Sequence, residues 1–273
     1  MIQFTKLHGN GNDFIVIDEH NGLVVSDNSK PSFAEKYCDR RFGIGADGVI
    51  FLSGSSSSDI KMRLFQPDCS EAEMCGNGIR CLVKYAMDAG YISTGNAMVE
   101  TMAGILPVEV KCQGNKVLVK VNMGKPLFDS KDIPMRVKGE FIDKELENMQ
   151  VSLVNTGVPH AVIFVDDLES VDIDKLARPI RYHFVFPKGT NVNFVNVTPD
   201  GILDMRTYER GIEGETFSCG TGSVAAAVIA YRLGRTGNEV TVNTLGGILN
   251  IVIKNDITFM EGPAVTVFNG TIP

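Results

Sequence analysis

The chain repeats itself, and that repeat constrains its fold more than any other feature. IKMRLFQ, starting at Ile60, returns as LDMRTYE, starting at Leu203. Met62-Arg63 matches Met205-Arg206 at a spacing of 143 positions, Phe65 then matches Tyr208, and Gln66 matches Glu209. Cys75-Gly76-Asn77-Gly78 follows as Cys219-Gly220-Thr221-Gly222, at 144. TMAGIL from Thr101 returns as TLGGIL from Thr244, again at 143. Three matches in the same order at near-constant spacing mark one design used twice. The expectation is two pseudosymmetric domains related by a pseudo-two-fold axis. The first covers 1–122 and is completed by a C-terminal strand, 262–273; the second covers 123–261.

Local patterns fit a mixed architecture. Phe14 to Ile17 and Ala161 to Val165 are short β-branched and aromatic runs, and KVLVKV (116–121) alternates like a half-exposed strand. Gly78 to Met87 and Gly222 to Leu233 read as the two main helices. The second, SVAAAVIAYRL, is apolar nearly all round and should be buried on every side. Many strands, two central helices and few others indicate α+β rather than strict βαβ alternation. SGSSSSD (53–59) reads as a turn, and the charged stretch from Asp129 to Gln150 as a surface excursion.

Composition narrows the function. With 26 basic against 33 acidic residues the net charge is −7, which argues against a nucleic-acid partner. No apolar run approaches membrane-spanning length. The first ten residues, MIQFTKLHGN, lack the basic and apolar zones of a signal peptide, so the expected compartment is the cytoplasm. Thiols there stay reduced, and the six cysteines miss the paired spacing of zinc sites. DRRFGIGADG (39–48) is glycine-rich but does not satisfy the dinucleotide fingerprint; it reads as a tight loop feeding a strand. Neither a P-loop nor a metal cluster is evident.

The chemistry concentrates where a cysteine twice precedes a helix. A helix N-terminus presents unpaired N–H groups and partial positive charge, which favours a carboxylate and a thiolate alike. Cysteines so placed have pKa values of roughly 3.5 to 7.5. Glycine lets the backbone approach a ligand closely. Under the pseudo-two-fold axis, Cys75 and Cys219 would face a shared cleft. One thiolate would remove a proton from the carbon beside a bound carboxylate, and the opposing thiol would deliver one to the other face. One such motif alone reads as a structural cysteine; two equivalent motifs read as an acid/base pair. His160, set against Asn12 at a spacing of 148, would sit near the cleft and accept a thiol proton. Glu209 and Arg210 precede Cys219 closely; arginine suits a planar carboxylate, and the glutamate suits an ammonium group or a nearby thiol. Asn191 and Gln66 offer neutral hydrogen-bonding groups. His8, His20 and His183 read as structural or surface residues.

FTKLHGNGNDFIVID, RRFGIGADG, SEAEMCGNGIRC, TGVPHAV, GTNVNF, YERGIEGET and SCGTGS run in this order from Phe4 to Ser223 and resemble the diaminopimelate epimerase family. The CGNG/CGTG pair alone points only to the wider group of cofactor-independent racemases and isomerases. The resemblance implies two similar domains, each a mixed β-sheet wrapped on a central helix, with the site between them. It implies interconversion of LL- and meso-diaminopimelate in lysine biosynthesis, with no cofactor: neither pyridoxal phosphate nor metal. It makes Cys75 and Cys219 the acid/base pair and gives the carboxylate to backbone groups of Gly76, Asn77, Gly220 and Thr221. Asn12, Asn191, Glu209 and Arg210 would contact the amino-acid substrate, and His160 and Glu209 would tune the thiols. VFNG (267–270) resembles a segment that supports a homodimer, with Phe268 where a tyrosine is common. Two departures bear on substrate: Gln66 and Val158 stand where the family commonly has asparagines that read the distal end. A cofactor-independent racemase of another amino acid, such as histidine, is therefore the alternative. An isomerase shifting an allylic proton, or a protein that only binds an amino acid, are further alternatives.

Overall fold

A computed structural model describes residues 1–114 and 116–273. The chain divides into two compact units, Met1–Asn122 with Glu261–Pro273, and Met123–Met260.

The first unit runs β1 (Ile2–Gly9), β2 (Asn12–Glu19), α1 (Lys30–Cys38), β3 (Gly48–Ser53), β4 (Ile60–Phe65), β5 (Glu71–Ala72), α2 (Gly76–Asp88), β6 (Gly95–Thr101), β7 (Gly104–Gln113) and β8 (Lys116–Gly124). The second runs β9 (Lys144–Leu146), β10 (Met149–Asn155), β11 (Pro159–Phe164), α3 (Ile173–Arg181), β12 (Asn191–Val197), β13 (Leu203–Glu209), β14 (Gly214–Thr216), α4 (Gly220–Arg232), β15 (Glu239–Thr244) and β16 (Gly247–Lys254). A long last strand, β17 (Ile257–Ile272), begins in the second unit and returns to the first, where its end pairs antiparallel with β1.

The repeat is visible strand by strand. In the first unit β1–β2 is an antiparallel hairpin, β2–β3 is parallel, β3–β4 antiparallel and β4–β6 parallel. In the second, β10–β11, β11–β12, β12–β13 and β13–β15 follow the same sequence of senses. Each unit is thus a mixed sheet against one central helix, as expected of the α+β class. The β1–β2 hairpin is set by Asn10-Gly11, both at positive φ (54° and 82°), the dipeptide that a tight primed turn requires. Gly222 to Ala230 of α4 are buried without a break, so this helix is a core element. Each of its valine and isoleucine side chains contributes about 1.5–3 kcal/mol by leaving water.

Three expectations need correction. The main helices begin at Gly76 and Gly220, two residues earlier than the pattern suggested, because each cysteine itself takes the capping position with extended backbone (φ −144°, ψ 118° and φ −120°, ψ 108°). The stretch from Asp129 to Gln150 is not a mere surface excursion: Ile133, Phe141 and Leu146 insert into the core of the second unit. The spacing that relates Asn12 to His160 is also wrong. Val49 pairs with Phe65 and Val192 with Tyr208, which makes Gly48 and Asn191 equivalent. Across the parallel pairs, Phe14 stands beside Gly48 and His160 beside Asn191. The counterpart of His160 is therefore Phe14, and by the same count Asn12 falls opposite Val158. Between the equivalent pairs Leu7–Phe14 and Val154–His160 the hairpins enclose six and five residues, 8–13 and 155–159, a difference that a fixed spacing cannot register.

Candidate active site

In the first unit, the hairpin turn, the β2 start and the α2 start converge. Cys75 caps α2, its Sγ accepting the Gly78 N–H at 3.4 Å. Its thiol lies 3.8 Å from Asn12 Oδ1, which also accepts from Asn77 Nδ2 at 3.1 Å. Asn12 is held from behind: its Nδ2 donates to Asp47 Oδ2 at 2.6 Å. Asp47 in turn receives the Asp13 N–H at 3.0 Å and Arg40 at 2.7 Å, and Arg40 also reaches Asp13. Asn77 is buried, and its Oδ1 has no hydrogen-bond partner among the described residues. Gln66 lies in the exposed turn after β4, accepting the Ser70 hydroxyl at 3.0 Å.

In the second unit the same three places converge with different chemistry. Cys219 caps α4, and its Sγ lies 3.5 Å from Thr221 Oγ1. Thr221 Oγ1 is 2.9 Å from His160 Nε2, and His160 Nδ1 is 3.1 Å from Asn193 Nδ2. The hairpin closes over the helix start, with Thr156 Oγ1 donating to the Thr221 carbonyl at 2.8 Å. Asn191 ties two segments together: Nδ2 donates to the Pro159 carbonyl at 3.1 Å, and Oδ1 accepts the Arg210 N–H at 2.8 Å. The Arg210 guanidinium reaches the Lys188 carbonyl at 3.3 Å. Glu209 ends β13, half-buried, opposite Gly214. The GTNVNF, YERG and SCGTG segments therefore meet within this unit, as do the GNGND and CGNG segments within the first.

Burial, reinforced by the Arg210 charge, pushes His160 down to about 3 against the raising effect of Asn193. Its imidazole is neutral near pH 7 and a weak base. It serves as a hydrogen-bonding group. Of the other thiols, burial pushes Cys38 and Cys81 up to about 12, and burial with the neighbouring Glu35 raises Cys69. All six cysteines are unbridged. His8 accepts the Gly11 N–H, His20 stacks on Tyr91, and His183 meets Glu147, each a local structural role. Phe268 is 46 % exposed on β17, edge-on to Phe4. Among the described residues no cluster of His, Cys, Asp or Glu is placed to hold a metal ion, and no helix is long and apolar enough to cross a membrane.

Sequence reasoning missed Asn193, Thr207 and Asp47. Asn193 was detectable: it lies two residues after Asn191 on the same strand, hence on the same face of it. Asp47 lay within a glycine loop read only as a connector.

This architecture recurs in solved structures of other proteins. The chain is similar over 100 % of its length to 99 % of a PhzF-family phenazine biosynthesis protein of Bacillus anthracis, at 18 % identity and a TM-score of 0.74. It is similar over 99 % of its length to 90 % of a hydroxyproline epimerase of Agrobacterium vitis, at 16 % identity and a TM-score of 0.69. Sequence carries the assignment further. The family model for diaminopimelate epimerase matches residues 4–128 and 152–267. A diaminopimelate epimerase of Methanocella arvoryzae is 59 % identical over 99 % of this chain and 96 % of its own length. One of Archaeoglobus fulgidus is 51 % identical over the same shares. The chain belongs to the diaminopimelate epimerase family.

Proposed function

We propose that Cys75 and Cys219 are the two acid/base groups with which this chain, as a diaminopimelate epimerase, interconverts LL- and meso-diaminopimelate. The observation that carries the reading is the repeated construction: one thiol caps each central helix, at equivalent positions of the two units. Inversion at an α-carbon by two monoprotic bases requires them on opposite faces of that carbon. One, as thiolate, removes the α-proton; the other, as thiol, returns one. Helix-start N–H groups at Gly76, Asn77, Gly220 and Thr221 hold the α-carboxylate and stabilise the charge that develops as the carbon is deprotonated. The unpartnered Asn77 Oδ1 supports a polar ligand at that end of α2. Asn12, Asn191, Glu209 and Arg210 orient the amino-acid substrate. Gln66 reads its distal end, and Val158 contributes shape without a hydrogen bond.

The curated relatives give no support to the racemase of another amino acid: those at 40–59 % identity are named diaminopimelate epimerases. Nothing in this reading calls on a cofactor. The enzyme works in the cytoplasm, and exposed Val265, Val267 and Phe268 on β17 support a homodimer, which sedimentation equilibrium tests.

The activity test is α-proton exchange. Metal-free protein without pyridoxal phosphate is incubated with LL-diaminopimelate in heavy water and followed by NMR. Meso product carrying α-deuterium, lost in Cys75→Ala and in Cys219→Ala, is expected. Turnover surviving in either variant defeats the two-thiol mechanism; turnover of another amino acid alone defeats the substrate.

A further inference from the structure

The two helix starts rest on different foundations. Beneath α2 lie Phe14, Ile50 and Leu64, all buried. Ile50 pairs with Leu64 across β3 and β4 as Asn193 pairs with Thr207 across β12 and β13. With His160 at the Phe14 position, an apolar triad in the first unit is replaced in the second by His160, Asn193 and Thr207. All three are buried: Asn193 and His160 are fully inaccessible and Thr207 is 2 % exposed. Burying three polar groups where the fold accepts hydrocarbon costs stability unless each bond is made.

Each is made, and the directions are determined. Asn193 Nδ2 lies 3.0 Å from the Ala161 carbonyl, which only accepts, so the amide nitrogen must face it. Asn193 Oδ1 then faces Thr207 Oγ1 at 3.0 Å and accepts its hydrogen. The second Nδ2 hydrogen points to His160 Nδ1, 3.1 Å away, which must be the unprotonated nitrogen. A neutral imidazole then carries its proton on Nε2, where it donates to Thr221 Oγ1 at 2.9 Å. With that lone pair taken, the Thr221 hydroxyl turns its own hydrogen toward Cys219 Sγ at 3.5 Å.

We propose that Asn193 and Thr207 are positioning residues that lock His160 in its Nε2–H tautomer, so that Thr221 donates a hydrogen bond to the Cys219 sulfur and favours its thiolate. The relay gives Cys219 a donor chain for which the first unit has no counterpart at Phe14, Ile50 and Leu64, and so distinguishes the two thiols. Charged groups on the strands against α4 are Asp204, Arg206 and Glu209 on β13, Glu239 on β15 and Lys254 on β16, with Arg210 directly after β13. Arg206 is held by Glu215, and Asp204 accepts from Asn243.

The inference rests on reading Cys219 as an acid/base thiol, but its test does not use turnover. The pH dependence of iodoacetamide alkylation is measured at Cys219 and Cys75 in the same chain by peptide mass spectrometry. In Asn193→Asp the carboxylate has no hydrogen for Nδ1, so the imidazole proton moves to Nδ1 and Thr221 turns toward Nε2. The Cys219 profile is expected to move up by about one pH unit, as for a thiolate losing a hydrogen bond. Thr221→Val should do the same, Thr221→Ser should match the parent chain, and the Cys75 profile should stay fixed throughout. Coincident Cys219 profiles in parent and Thr221→Val overturn the relay. A shift in Thr221→Val but not in Asn193→Asp overturns the role of Asn193. Should Asn193→Asp misfold, nitrogen-15 NMR of the parent imidazole decides: an Nε2–H tautomer supports the proposal and an Nδ1–H tautomer overturns it.

Discussion

Gly222 stands so close to Asn193 that a Cβ placed on it would come 2.5 Å from Asn193 Oδ1 and 3.2 Å from Cys219 Cβ. At the equivalent Gly78, the nearest atoms to such a Cβ, on Cys75 and Ile50, are 3.4 Å away. Alanine in a helix is otherwise favoured over glycine by up to about 1 kcal/mol. Gly78→Ala should therefore keep most of its epimerase activity and its thermal stability. If Cys219 is an acid/base thiol as proposed, Gly222→Ala should lose activity by roughly 10²-fold, because displacing Asn193 or Cys219 by a fraction of an ångström would misalign it. Steady-state kinetics on both variants check the asymmetry; equal losses would show that the close approach at Gly222 is immaterial.

Asn12 is aimed by Asp47. With its Nδ2 bonded to the carboxylate, its Oδ1 is turned to Asn77 and Cys75. Asp47→Ala removes that anchor without touching the thiol. A loss of about tenfold in kcat/KM, roughly the 1.4 kcal/mol of one such bond, is expected. In an Asn12→Ala background the same substitution should cost almost nothing, since the two residues act as a unit. Additive losses in this double-mutant cycle would place Asp47's effect elsewhere.

The duplication, the α+β class and the two capping thiols were legible because each leaves a local mark: a recurring Met-Arg-aromatic strand and a Cys-Gly-x-Gly turn. What the sequence concealed was register. His160 looked equivalent to Asn12 because both follow a hairpin turn, but the second hairpin holds one residue fewer between equivalent pairs, and the strand pairing puts His160 in the place of Phe14. The meaning of Asn193 was hidden for the same reason. A polar residue on a strand reads as outward-facing until its pairing with Thr207 puts it under the helix. Asp47 acts across β2 on a side chain 35 residues away, a contact no local pattern records.

His160 should leave its mark on acid stability. Its folded-state value, pushed down to about 3 by burial and by Arg210, lies below the ordinary 6.5. Between these two pH values the unfolded chain binds a proton that the folded chain refuses, so stability falls as pH drops from about 6.5 toward 3. Above 6.5 both states are neutral and the effect vanishes. His160→Gln should flatten this part of the stability–pH curve, measured as urea midpoints at pH 7, 6, 5 and 4. An imidazole signal of His160 that titrates between pH 5 and 8 in the folded protein would contradict the burial argument.

Asp13 works with the opposite sign. Burial acts to raise its carboxyl, but hydrogen bonds from Arg40 and Lys6, with the Lys6 charge, outweigh it and hold the group down at about 2, below the ordinary 3.8. The folded state therefore keeps a carboxylate that the unfolded chain protonates sooner as pH falls. Its stabilisation is complete above about pH 4 and lost as pH falls through about 2. Arg40→Ala removes the largest of these supports, and with it the clamp that Arg40 forms between Asp13 and Asp47 at 2.8 and 2.7 Å. The difference in Tm between parent and Arg40→Ala should be constant from pH 7 to about 4 and shrink toward zero as pH approaches 2. The guanidinium is more than half exposed, so added salt should narrow the neutral-pH difference as well. A difference that persists undiminished at pH 2 would mean that Arg40 stabilises the β2 start through packing and not through the Asp13 carboxylate.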